Sequence, residues 1–154
     1  MQTTPRPTAS SNTSLLDKAV ILPVSSQDVC HYSEIALPFI KLAMEQSDQR
    51  ISIDDIWTDL ANRERQLWVI KDQDEYIAAV VTMVYTNSLG QKIGEISLAG
   101  GKNHARWINF ADGVSAWFKE QGCDFCDIVG RLGWAREYTK RGFKMETVQM
   151  RRKL

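Results

Sequence analysis

Trp134-Ala-Arg-Glu-Tyr-Thr-Lys-Arg-Gly-Phe143 is the stretch on which the fold turns. Trp134 to Lys140 reads as a short helix and Arg141-Gly142 as its stop, because glycine reaches the left-handed conformation that closes a helix without steric cost. Phe143 enters the core and opens a strand running to Met150. Upstream, Phe125 to Val129 reads as a buried strand. Strand, helix and strand in that order predict a parallel pair joined by a right-handed crossover.

Working backwards, a helix is predicted from about Ala105 to Gln121, with Trp107, Phe110, Ala111, Val114, Trp117 and Phe118 on one face and Gly122 as its stop. Before it come three strand-like runs, Gln66 to Lys71, Tyr76 to Thr86 and Ile93 to Ala99. They are rich in β-formers and are separated by the turns Asp72-Gln-Asp74 and Asn87-Ser-Leu-Gly90, which predicts an antiparallel meander. Further upstream, Ala19 to Val24 reads as a strand. Val29 to Ala43 follows with apolar residues at helical spacing. Pro38 lies inside that pattern and is expected to kink or split the helix near Leu37. Ser52-Ile-Asp-Asp55 starts a second helix whose face carries Ile53, Ile56, Trp57 and Leu60. The expected architecture is a mixed α/β domain over residues 15–154, preceded by a flexible Thr/Ser/Pro-rich tail over 1–14.

A chain of 154 residues suits one hydrophobic core. Nineteen basic residues balance nineteen acidic ones, which speaks against strong nonspecific binding to nucleic acid. The charge is uneven, however. Arg131 to Leu154 holds eight basic and two acidic residues, a local +6 against −6 elsewhere. This is either a solvated charged end or a site for an anionic ligand or partner. Three cysteines and no secretory signal fit a reducing, cytoplasmic setting. No apolar run approaches the ~20 residues that span a bilayer. Cys123 and Cys126 would lie on opposite faces of a strand, and with Cys30, His31 and His104 as the remaining soft donors they form no zinc set, so no metal is expected. His104 reads as a solvated loop residue or as a contact to an anion or substrate.

The element order, together with Tyr138, Lys140, Gly142 and Phe143, resembles the GNAT (Gcn5-related N-acetyltransferase) family, whose members commonly end a short helix in a Tyr-x-Lys-x-Gly-Phe-like stretch. The resemblance implies an acyl-CoA N-acyltransferase fold, with helices on both faces of a twisted sheet that splays partway along. It implies acetyl-CoA as cofactor and an amine, small-molecule or protein, as acceptor. Tyr138 would protonate the departing thiolate; the alternative is a packing tyrosine with its hydroxyl at the surface. Glu95, on the third meander strand, would be the amine's general base; the alternative is an exposed strand glutamate. Alternation places Glu95 with Ile93 and Ser97, opposite Ile96 and Leu98.

In the family the strand is followed by Gln/Arg-x-x-Gly-x-Gly/Ala, whose backbone N–H groups close around the CoA pyrophosphate. By that likeness Leu98, Ala99, Gly100, Gly101, Lys102, Asn103, His104, Ala105 and Arg106 form the cofactor-binding set. The motif is altered. One register puts Gly100, Asn103 and Ala105 at the three defined positions; the other puts Lys102, Ala105 and Trp107 there. Asparagine tolerates left-handed geometry, and Lys102 offers charge to phosphate. Two functions therefore stand: acetyl transfer, or a catalytically inactive GNAT-like binding or structural protein with an assembly partner. Short GNAT-like chains with altered loops occur among tailed bacteriophages, including minor virion components, and this chain resembles them.

Overall fold

The computed structural model describes residues 19–47 and 50–154. The tail expected over 1–14 lies outside the described residues. The elements run β1 (Ala19–Val24), α1 (Val29–Glu45), α2 (Ile53–Ala61), β2 (Gln66–Asp72), β3 (Glu75–Thr86), β4 (Lys92–Gly101), α3 (His104–Trp107), α4 (Phe110–Glu120), β5 (Phe125–Ile128) and α5 (Leu132–Thr139). The sheet order is β1-β2-β3-β4-β5. The first four strands pair antiparallel, and β5 joins β4 in parallel.

Two apolar cores flank the sheet. Under α1 and α2, Phe39, Ile40, Ile56 and Leu60 meet Leu67, Val69, Val81 and Leu98. On the other side, Trp107, Phe110, Val114, Phe118 and Tyr138 meet Trp68, Ile70, Val80 and Ile96. Because β2 and β3 are covered on both faces, they read as near-continuous apolar runs rather than alternating ones.

Four expectations need correction. First, α1 runs through Pro38 without a break. Pro38 and Glu34 are both exposed, so the helix carries the proline on its solvent side. Second, the helix expected from Ala105 to Gln121 is two helices, interrupted at Ile108-Asn109. Trp107 is held back by a 2.9 Å bond from its indole N–H to the Lys102 carbonyl. Third, β5 is only half covered: Phe125 and Val129 are about half exposed.

Fourth, the strand expected over Phe143–Met150 does not form. Gly142 does close α5 in a left-handed turn (φ 89), with the N–H of Phe143 bonded to the Tyr138 carbonyl, and Phe143 is partly buried against Tyr138. From Lys144 onward the chain is exposed and makes no ladder. Its Glu146 lies close enough to Asp127 of β5 to raise that carboxyl's pKa, second to burial. Like charges at that position oppose closer approach of the two segments.

Candidate active site where β4 and β5 part

The β4–β5 ladder extends from Ile93↔Phe125 to Ile96↔Ile128, with one further bond from the Val129 N–H to the Ile96 carbonyl. There the strands separate. β4 continues through Ser97 to Gly101 beside β3 alone, while the segment after β5 turns away through Gly130-Arg131 into α5. A slot is therefore left along one edge of β4.

The parting coincides with a bulge. Val81 pairs with Leu98 and Thr82 with Ile96, so Ser97 is the extra residue. This overturns the strict alternation expected here. Ile96 enters the core under α4, while Leu98 enters the core under α1. Glu95 and Ser97 do share a face, and the Ser97 hydroxyl donates to the Glu95 carboxylate at 3.0 Å. That hydroxyl also accepts a 3.1 Å bond from Arg65, which is ion-paired with Asp59 at 2.9 Å. Across the ladder, Glu95 is matched with Asp127, whose pKa is raised by burial and then by Glu146. Asp127 was missed from sequence because the pairing that brings it beside Glu95 is non-local.

At the end of β4, Gly100 presses against α1: a Cβ there would lie 2.3 Å from the Phe39 carbonyl oxygen. Gly101 is similarly close to Ile77 and Ala78. Leu98 is core, and Ala99 packs against the opposite core. Lys102 is exposed and pairs with Glu75 at 3.3 Å. Arg106 is committed to Asp72, with Nε 2.8 Å from Oδ2. Asn103 takes the left-handed conformation (φ 52, ψ 64), and His104 then begins α3. A left-handed residue followed by a helical one turns successive N–H groups toward one concavity, the arrangement called a nest. Among the described residues the amides of Asn103, His104 and Ala105 meet no backbone acceptor. Asn103 is thus the residue of this loop that takes the left-handed conformation.

His104 is not a solvated loop residue. Its ring stacks on Trp134 (centroids 5.0 Å apart, planes 7° apart), and Nε2 lies 2.9 Å from the Tyr138 hydroxyl. Burial, followed by the charges of Arg131 and Arg141, lowers its pKa. The ring is thus held neutral, able to accept from the phenol. Tyr138 is only 3% exposed, and burial pushes its pKa well above the usual phenol value. Arg131 and Arg141 belong to the basic C-terminal run; their charge was legible in the sequence, but their placement beside the β4–α3 loop was not. The Trp134 indole N–H is buried and meets no acceptor among the described residues.

Cys123 and Cys126 pack against the same core rather than opposite faces, because Cys123 precedes β5 and strand alternation does not reach it. Among the described residues no three His, Cys, Asp or Glu side chains gather as a metal set. Nor is any helix among them long and apolar enough to cross a membrane.

No protein-family model matches the chain, and no curated protein matches it. Solved structures do. An aminoglycoside acetyltransferase from an uncultured soil metagenomic sample aligns at 12% identity over 89% of this chain and 97% of that one, with a TM-score of 0.65. A predicted acetyltransferase with acetyl-CoA from Clostridium acetobutylicum aligns at 16% identity over 88% and 96%, TM-score 0.61. A GCN5-related N-acetyltransferase from Ralstonia eutropha aligns at 20% identity over 88% and 98%, TM-score 0.62. The likeness extends over nearly the whole length of each, and at these identities it is one of architecture: the chain carries the GNAT acetyltransferase fold.

Proposed function

We propose that the chain is an N-acetyltransferase that moves an acetyl group from acetyl-CoA to an amine. The observation that carries this reading is the parting of β4 from β5 just beyond the Ser97 bulge, with the Asn103–His104 nest at the end of the same strand. The residues present fit the donor. The nest amides suit a pyrophosphate, Arg131 and Arg141 add positive charge near the same loop, and Trp134 offers an unused buried donor. Leu98 to Gly101 supply the strand edge along which the pantetheine arm would bind. Acetyl-CoA supplies the thioester acyl group.

The chain's own groups divide the proton work between the two faces of the sheet. Glu95, on the α1/α2 face and oriented by the Ser97 hydroxyl, takes the proton shed by the attacking amine nitrogen. Tyr138, on the α4 face, supplies a proton from its hydroxyl to the leaving sulfur. The phenol is protonated at neutral pH, the state an acid requires, and burial makes its proton harder to give up until the thiolate forms beside it. His104 Nε2, 2.9 Å from that hydroxyl, holds its oxygen in place in the resting protein.

Calorimetry and thermal shift with acetyl-CoA at millimolar concentration test the reading. Heat of binding and a raised melting temperature are expected; the absence of both removes the donor. With binding established, Tyr138→Phe is expected to lower turnover about a hundredfold, in the range for a lost general acid, with little change in CoA affinity. Unchanged turnover removes the proton-donor role. A noncatalytic binding role is the second reading. It is favoured by one observation: the Tyr138 hydroxyl is buried and already engaged by His104.

A further inference from the structure

Beyond the ends of β1 and β2, the β3–β4 hairpin continues for several residues, and a cleft of about 430 Å³ opens beside it. It is lined by Arg63, Arg65, Lys92, Gln66, Ser26 and Trp117 among others, and no carboxylate is part of its wall. The volume is that of a small-molecule site.

The three cations are not equivalent. Arg65 is neutralised by Asp59. Arg63 bonds through Nε to the Ser26 hydroxyl, and Lys92 Nζ donates to the Gln121 carbonyl. Among the described residues neither Arg63 nor Lys92 forms an ion pair with a carboxylate. Arg63 also holds a left-handed backbone (φ 63), which costs energy for a residue with a long side chain. The cleft therefore presents two cations outside any side-chain ion pair, with the Asp124 carboxylate bonded only to the Lys92 backbone N–H, and a fork of guanidinium donors suits an oxyanion.

A chain of hydrogen bonds links the wall of the cleft to the candidate base. Arg65, in its wall, donates to the Ser97 hydroxyl, which donates to Glu95, and Glu95 faces Asp127. The Arg65 guanidinium and the Ser97 hydroxyl thus stand between a cationic pocket and a pair of carboxylates. Such a polarity fits a molecule with an amine at one end and an anion at the other.

Resting on the reading of Glu95 as the base for the acceptor, we propose that the acyl acceptor is a zwitterionic amine whose carboxylate or phosphate is held by Arg63 and Lys92. An amine lacking the anion leaves those charges unanswered and binds more weakly.

Calorimetric titration of the full chain with matched probes tests this: 4-aminobutyrate against butylamine for the carboxylate, phosphoethanolamine against ethanolamine for the phosphate. At least one acid is expected to bind about tenfold or more tightly than its neutral-tailed match, the loss expected for a missing charged hydrogen bond, and the preferred arm identifies the anion. The Arg63→Gln/Lys92→Gln double variant, altered at side chains outside both cores, is expected to erase the preference while retaining the wild-type melting profile. Equal binding of acids and neutral amines, binding of neither acid, or an acid preference that survives in the double variant overturns the proposal. Thiol release from acetyl-CoA, measured in the same samples, reports separately on acyl transfer: no thiol with intact acid binding removes the transferase reading and leaves the cleft's specificity standing.

Discussion

His104 illustrates how one side chain is set by its surroundings. Stacked on Trp134, bonded to Tyr138 and near two guanidiniums, it is held neutral in the fold. In the unfolded chain a histidine protonates near pH 6.5. Since the folded pKa is the lower one, the stability tied to the neutral ring is complete above the unfolded value and is lost as pH falls through the folded value. The melting temperature of His104→Gln is therefore expected to lie below that of the wild type at neutral pH, and the gap to narrow as pH drops from about 7 to about 5. Paired thermal melts across that range check it. A gap constant with pH would mean that His104 does not titrate differently in the two states. The sequence marked His104 as a loop residue that could meet an anion; the rings that enclose it come from α3 and α5, too far apart along the chain for local patterning to join them.

At the scale of elements, the α1–β4 contact depends on Gly100. A methyl group there meets backbone, the Phe39 carbonyl at 2.3 Å and the Ala43 N at 3.0 Å, and backbone cannot rotate away as a side-chain tip can. Gly100→Ala is expected to cost about 1–3 kcal/mol, the usual penalty of overpacking, measured as a lower urea midpoint with an unchanged slope. The elements themselves were largely legible. β2, β3 and β4 announce themselves by β-formers between short turns, and α2 by Ser52, whose hydroxyl accepts from the Asp55 N–H at 3.1 Å as a cap. Two of the misreadings share an origin. Whether Phe143–Met150 becomes a strand depends on a partner edge, and whether Leu98 follows Ile96 onto one face depends on a bulge set by β3. Neither partner is encoded in the segment itself. The Asn103 turn was half legible: asparagine's tolerance of left-handed geometry could be stated, but only the fold shows that position 103 requires it.

For the molecule as a whole, the two cores and the five-stranded sheet are complete by Phe143. Removing Lys144–Leu154, which is exposed along its length, is expected to shift the melting temperature by about 2 °C or less, as for a change of a few tenths of a kcal/mol in a domain of this size. A drop beyond about 5 °C would show that the C-terminal segment contributes packing in solution. The bulge at Ser97 has a wider consequence. It is the point at which a single strand switches its allegiance between the two halves of the interior, Ile96 to one and Leu98 to the other. Loss of Ser97 alone would leave Ile96 opposite Thr82 and Leu98 opposite Val81, so both halves would keep their side chains, but the hydroxyl between Arg65 and Glu95 would go. The interior is thus indifferent to this one residue, and the extra length of the strand answers to the candidate site rather than to the packing.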